Sequence, residues 1–446
     1  MSFLTEEECK KISDKVLGYA TAPETLVYLN PSKGGHTRFA RNDVTTSGYD
    51  ETMAIQVTSQ YGLRVGTATA NQYDDASLKD CVQRAEEIAR LAPEDEEAMP
   101  VLGPQKYENS PFLFNGESDA LTAEFRGKAV AEALKLAKDK GLDGAGFVQH
   151  VSDVDAVATS KGLRAFRKTT GVAYSLTMRT KNAGSGWGGS VANALKHFDA
   201  SSCTARAAEL ALKSEKPVAL EPGNYTAILS AECVADLAST ALGGFDQRRI
   251  DEGRSFLSQF GKELKEGKRI FGEQVNISCD FGSELCPANN FNGEGYPVEK
   301  GDWVQNGVVK RIGCSRYWAK KTGREPLAFP TNLIMRGGTA SLDEMVAGCK
   351  RGVMVTRFWY VRLVDPQTNL FTGLTRDGCF LVENGKVTRA VKNFRWNETP
   401  VKMLRNIEAM GPSRRVVTSE QDLGSGLSFP DLRVSDFTFS SLSDAV

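Results

Sequence analysis

Hydrophobic positions change period along the chain and mark its elements. Thr5, with Glu8 three residues on, forms a capping box, and Leu4 can staple onto Cys9. Cys9, Ile12, Val16 and Tyr19 then recur at helical spacing. Residues 25–69 alternate, are rich in β-branched side chains and are broken by Gly or Asp, which predicts strands. A second helix follows in ASLKDCVQRAEEIARLA, with Leu78, Val82, Ala85, Ile88 and Leu91 on one stripe and Pro93 ending it. Residues 93–111 are acidic and carry four prolines, as a linker or long surface connection does. A third helix is expected from about Thr122 to Lys140, with Phe125, Ala129, Ala133, Leu136 and Ala137 inward. From 144 to 180 the alternation of strands returns.

Another break lies near 214–224 (KSEKPVALEPGN). Beyond it SAECVADLASTAL and SLDEMVAGCK read as helices, and the rest as strands. Asn384-Gly385, between alternating runs, predicts a type I′ hairpin. Helix–strand units mixed with hairpins make the class α+β rather than a regular βαβ repeat. The expected organisation is an α/β N-terminal domain with a mixed or antiparallel sheet over 1–215, then a large β-rich C-terminal domain over 216–446.

Charge narrows the function. Fifty-five Lys and Arg against 56 Asp and Glu leave a net −1, which argues against a nucleic-acid binder, since such binding rests on excess positive charge. The nine cysteines are scattered and form no Cys-x-x-Cys pair, so they read as reduced, mostly buried thiols. The N-terminus has no apolar leader and no run approaches 18 apolar residues; a cytoplasmic protein without membrane insertion is expected. The three histidines, His36, His150 and His197, are too far apart to share a helical face as metal ligands.

Each candidate site has a plainer alternative. Gly184-Ser-Gly186-Trp-Gly188-Gly189 satisfies G-x-G-x-x-G ahead of a helical-looking SVANALKHF. The preceding GVAYSLTMRT, however, alternates like a half-exposed antiparallel strand, and Glu209 falls in a helical pattern, so a flexible Gly-rich connection is preferred. Cys279 and Cys286, or His197 with Cys203, match no standard zinc spacing. Ser190 and Ser255 lie near glycines but outside any G-x-S-x-G. Cys233 beside Glu232 could be an activated thiol, against the plainer reading of a buried small hydrophobe. The charged stretch 245–269 could line a substrate groove, although a solvated helix or subunit contact is the default.

Several blocks together resemble the TldD/PmbA family of bacterial and archaeal proteins nearly end to end. They are ARNDVTTSGYDETMAIQV, GSGWGG, PGNYTAILSAECVADL, DEGRSFLSQFGKELKEGKRIFGEQVNI, NGEGYP with VQNGVVK, and LIMRGGTASLDEMVAGCKRGVMV with LFTGLTRDGCFLVENGKV. The resemblance implies a two-domain fold and assembly as dimers. In the family's metalloprotease branch, a helix at the start of the second domain carries His-Glu-x-x-x-His and a cysteine near the C-terminus completes a zinc site. The glutamate is then a general base on metal-bound water. Here the matching stretch is Ala231-Glu232-Cys233-Val234-Ala235-Asp236, so Ala231 and Asp236 replace the histidines and only Glu232 survives. No cysteine follows Cys379, and the region of the cysteine loop reads MGPSRRVVTSEQDLGSG. Two carboxylates on one helical face would prefer a harder ion and need more oxygens.

These departures place the chain with the PmbA, or TldE, type. The resemblance then implies no metal, no other cofactor and no catalytic residue of its own. It also implies a zinc-bearing TldD-type homologue as heterodimer partner, and unstructured peptide as the substrate of the pair. The alternative is a homodimeric enzyme or binding protein with its own chemistry around Glu232, Cys233 and Asp236.

Overall fold

A computed structural model of the chain describes residues 4–418 and 426–443, apart from the side chain of Lys265. The α+β class is as expected. An eight-stranded antiparallel sheet occupies the N-terminal half and a thirteen-stranded mixed sheet the C-terminal half.

The first sheet is organised by the long strand Asp143–Thr159. One edge pairs with Ser32–Ala40 and then with Glu24–Leu29, and its other edge pairs along most of its length with Arg164–Arg179. Helices cover this sheet, but the predicted stripe of Asp75–Leu91 holds only over its first part. Ile88 and Leu91 are exposed, because the buried face continues through Ala89 instead. Leu78, Cys81, Val82 and Ala85 of Asp75–Leu91 bury against Val27, Val57 and Ala68. In Ala123–Asp139 the inward residues are Ala129, Val130, Ala133 and Ala137, while Phe125 and Leu136 are only partly buried. The Thr5–Glu8 capping box is formed. Residues 93–111 have no helix or strand and run over the C-terminal half, where Tyr107 Oη donates to Gly295 O at 2.7 Å and Ser110 Oγ to Phe281 O at 2.7 Å.

The glycine-rich motif is neither a flexible connection nor the start of a helix. It lies in the strand Ser185–Ala192, paired with Arg164–Arg179, and SVANALKHF supplies only the end of that strand and a short 3-10 turn, Leu195–His197. Its alternate glycines meet the backbone of the helix Ala200–Lys213. A Cβ at Gly184, Gly186 or Gly188 would stand 2.2, 2.1 or 2.2 Å from Ala211 O, Ala207 O or Cys203 O. Glycine is needed because the helix backbone sits directly on the strand.

In the second sheet Gly223–Leu229 lies between Arg351–Val355, parallel, and Gly426–Leu442, antiparallel. Arg351–Val355 continues to Cys379–Glu383 and the edge strand Lys386–Ala390. Asn384 (φ 51°) and Gly385 (φ 75°) make the predicted hairpin turn, both in the left-handed region that a type I′ turn requires. Residues 245–269 are not one solvated helix. They form Gln247–Asp251, a 3-10 turn at Phe256–Phe260 that buries Phe256 and Leu257, and Gly261–Lys265. The helices Arg316–Thr322 and Pro400–Arg405 are additions to the two expected in this half.

Candidate functional site

The helix Ala231–Leu242 carries the whole stretch Ala231–Asp236 and sits inside the C-terminal core. Ten of its twelve residues are buried, including Glu232, Cys233 and Asp236. A helix apolar nearly all round can be buried this way, and two carboxylates at i and i+4 are exceptions that need partners. Ser230 caps it. Its hydroxyl accepts from Cys233 N at 3.4 Å and donates to Thr356 O at 2.8 Å, tying the helix start to the strand region beside it.

Glu232, 2% exposed, is held by two arginines from elsewhere in the chain. Arg414 donates Nη1 to Oε1 at 2.7 Å and Nη2 to Oε2 at 2.6 Å, a bidentate pair across 182 positions of sequence. Arg206, from the helix Ala200–Lys213 of the N-terminal half, donates to Oε1 at 3.3 Å. Asp431 accepts from Ala231 N at 2.6 Å and lies 3.5 Å from Arg414. Burial by itself would raise the Glu232 pKa, but the charges of Arg414 and Arg206 and the Arg414 hydrogen bonds outweigh it and hold the carboxyl well below its ordinary range. The Cys233 thiol is shifted the other way: burial pushes it well above the usual thiol value, as in a buried small hydrophobe.

These residues do not fit a metal ion. A cation at Glu232 would face two fixed guanidinium charges and would find Ala231 where a donor is needed. Among the described residues no group of three or more His, Cys, Asp or Glu side chains is disposed to hold a metal. Residues 419–425 of the stretch that matches the cysteine loop lie outside the described residues.

Above this ion pair lies a cavity of about 650 Å³ between the two halves of the chain. One wall is the helix Ala200–Lys213, with Arg206 and Lys213; another is the edge strand, with Val387 and Arg389; Arg414 and Asp431 also line it. Local sequence patterns do not reveal Arg206, Arg414 or Asp431 as site residues, since each reaches the helix from a distant segment. The other candidates stay apart. Cys279 and Cys286 are buried thiols, Ser255 caps the Phe256–Phe260 turn, and Ser190 Oγ accepts from Asp199 N at 3.1 Å. His150 is buried beside Arg126, its ring 3.2 Å from the guanidinium; burial and that charge lower its pKa to about 4.

Three descriptions of one family tile the sequence. PmbA/TldA metallopeptidase domain 1 matches residues 27–89, the central domain 120–215 and the C-terminal domain 222–441. The chain belongs to the PmbA/TldD family. The first two of these domains share the single N-terminal sheet. A protein named "Metalloprotease" from Methanothermobacter thermautotrophicus is 24% identical over 229 residues, so the match spans 47% of this chain and about half (48%) of that relative. Among solved structures, one described as a modulator of DNA gyrase from Bacteroides thetaiotaomicron superposes with TM-score 0.84 at 20% identity, covering 99% of this chain and all of that one. TldE from Thermococcus kodakarensis gives 0.82 at 18%, covering 97% and 99%. At these identities the likeness is one of fold, and it is the expected PmbA/TldD fold.

Proposed function

We propose that this chain is the metal-lacking member of a two-chain metallopeptidase, paired with a zinc-bearing PmbA/TldD homologue and holding unstructured peptide for the partner's metal. The Arg414–Glu232–Arg206 arrangement carries the reading. A general base must take up a proton near working pH, and a carboxylate neutralised by a bidentate guanidinium and approached by a second does not. The name of the archaeal relative supports the peptidase setting. The one surviving catalytic-type residue of the motif has become structural, while the cavity beside it remains open.

That cavity suits an extended chain. Lys386–Ala390 is the last strand of its ladder, and the unpaired backbone groups of such an edge receive peptides by strand addition. The charge balance keeps nucleic acid out of the reading. No described helix is long and apolar enough to cross a membrane, and we place the pair in the cytoplasm.

The test is to purify the chain alone and together with a zinc-bearing family homologue, then measure bound zinc and hydrolysis of an unstructured fluorogenic peptide. Zinc and hydrolysis are expected only with the homologue present. Stoichiometric zinc with peptidase activity in the isolated chain would overturn the proposal.

A further inference from the structure

The cavity is unevenly charged. Arg206, Lys213, Arg389 and Arg414 line it against Glu209 and Asp431. Lys213 is paired with Glu209 at 2.5 Å, and Asp431 is engaged by the Ala231 amide and Arg414. Beneath the wall, both oxygens of Glu232 already accept from Arg414. Arg206 therefore adds a third, longer hydrogen bond to a satisfied carboxylate. Its guanidinium has five N–H donors, its side chain is 36% exposed, and among the described residues it makes that one hydrogen bond. Arg389, on the edge strand, is 57% exposed and lies 3.8 Å from Glu383.

The edge strand has one open end and one closed end. Val218 N donates to Ala390 O at 3.1 Å and Lys392 N to Val218 O at 2.9 Å, a parallel bridge that occupies the edge beyond Ala390. A peptide laid along Lys386–Arg389 must stop there. The closed end is also the arginine end. Ala390 pairs with Phe380, Val355 pairs with the adjacent Cys379, and Val355 O accepts from Ser230 N, the cap of the helix that bears Glu232.

We infer that this cavity receives the free C-terminal carboxylate of an extended peptide, which runs parallel to Lys386–Ala390 and delivers its terminus to Arg206. The inference rests on the peptide-holding reading above and adds which part of the peptide is recognised. Burying a carboxylate against a guanidinium with donors to spare gives the charge-assisted, two-pronged hydrogen bonding that discriminates an acid from an amide.

The experiment uses the full-length chain and three N-terminally fluorescein-labelled hexapeptides of one apolar sequence: a free acid, its C-terminal amide, and the amide with a glutamate at the penultimate position. Anisotropy titration should show the free acid binding on the order of tenfold tighter than either amide, the range of a charge-assisted hydrogen bond. Arg206→Met should abolish the preference, so that acid and amide bind the variant equally, while Arg414 keeps Glu232 paired. Equal binding of acid and plain amide to the wild type overturns the inference and leaves the peptide-holding reading standing. A glutamate amide that matches the free acid also overturns it, in favour of a side-chain carboxylate. No binding of any peptide overturns both.

Discussion

Arg414→Ala tests the central claim about Glu232. The substitution leaves a carboxylate that is 2% exposed with one remaining contact, Arg206 at 3.3 Å. Breaking a buried ion pair on one side costs about 3–5 kcal/mol. Arg414 itself is 38% exposed and Arg206 stays, so the discounted loss is about 2–3 kcal/mol. For a cooperative unit of roughly 200 residues that is a fall in melting temperature of about 4–12 °C. The pH dependence has a definite sign. In the wild type the Glu232 pKa is depressed, so its contribution is complete above the ordinary carboxyl value of about 4.3 and is lost only as pH falls through the lower folded value. In Arg414→Ala burial is opposed by Arg206 without its stronger partner, so the pKa is expected to move up, and the penalty, largest at neutral pH, to relax as the carboxyl protonates. Calorimetric or fluorescence melts at pH 8 and pH 5 should therefore show the gap between the two proteins narrowing toward pH 5. A loss under about 1 kcal/mol at pH 8, or a gap that does not change with pH, would refute the assignment of a buried charge to Glu232.

Three further outcomes follow from the packing. Gly186→Ala puts a Cβ 2.1 Å from Ala207 O, and such overpacking should destabilise by about 1–3 kcal/mol in denaturant melts. Gly127, exposed in mid-helix with nothing within 4 Å of a Cβ, should instead gain about 0.5–1 kcal/mol as alanine in the same assay. Eight of the nine thiols are buried and the partly exposed Cys203 is raised to about 11, chiefly by burial. A thiol reagent at pH 8 should then label the native chain slowly and release nine equivalents on denaturation.

Local signals were readable wherever a short stretch determines its own structure. The first part of the stripe of Asp75–Leu91 (Leu78, Val82, Ala85), its end before Pro93 and the Asn384-Gly385 turn are of this kind, because the residues that decide them lie within a few positions of each other. Short helices were harder, although Ser315 ahead of Arg316–Thr322, and Thr399 with Pro400 at the first turn of Pro400–Arg405, are ordinary start signals. The glycine motif is ambiguous in sequence because two explanations share one pattern. Glycines at 184, 186 and 189 fit a turn fingerprint, yet those at 184, 186 and 188 have the period of two by which one face of a strand admits a helix backbone, and only the helix Ala200–Lys213 decides between them. Glu232 was legible by resemblance, whereas its partners were not, since Arg206 and Arg414 lie 26 and 182 positions away.

The ion pair also gives a physical account of how this core accommodates a buried glutamate. In the His-Glu-x-x-x-His motif the carboxylate works beside a divalent cation. With Ala231 and Asp236 in place of the histidines, that cation has too few donors, and an unpaired carboxylate in this core would be strongly destabilising. Arg414 meets the demand with a fixed positive charge in bidentate geometry, and Arg206 ties the same carboxylate to the N-terminal half. Glu232 thus joins the two halves at the wall of the cavity. A carboxylate fixed in this way by two guanidinium groups is a structural anion at the cavity wall, which is the role the proposal of a peptide-holding subunit gives it.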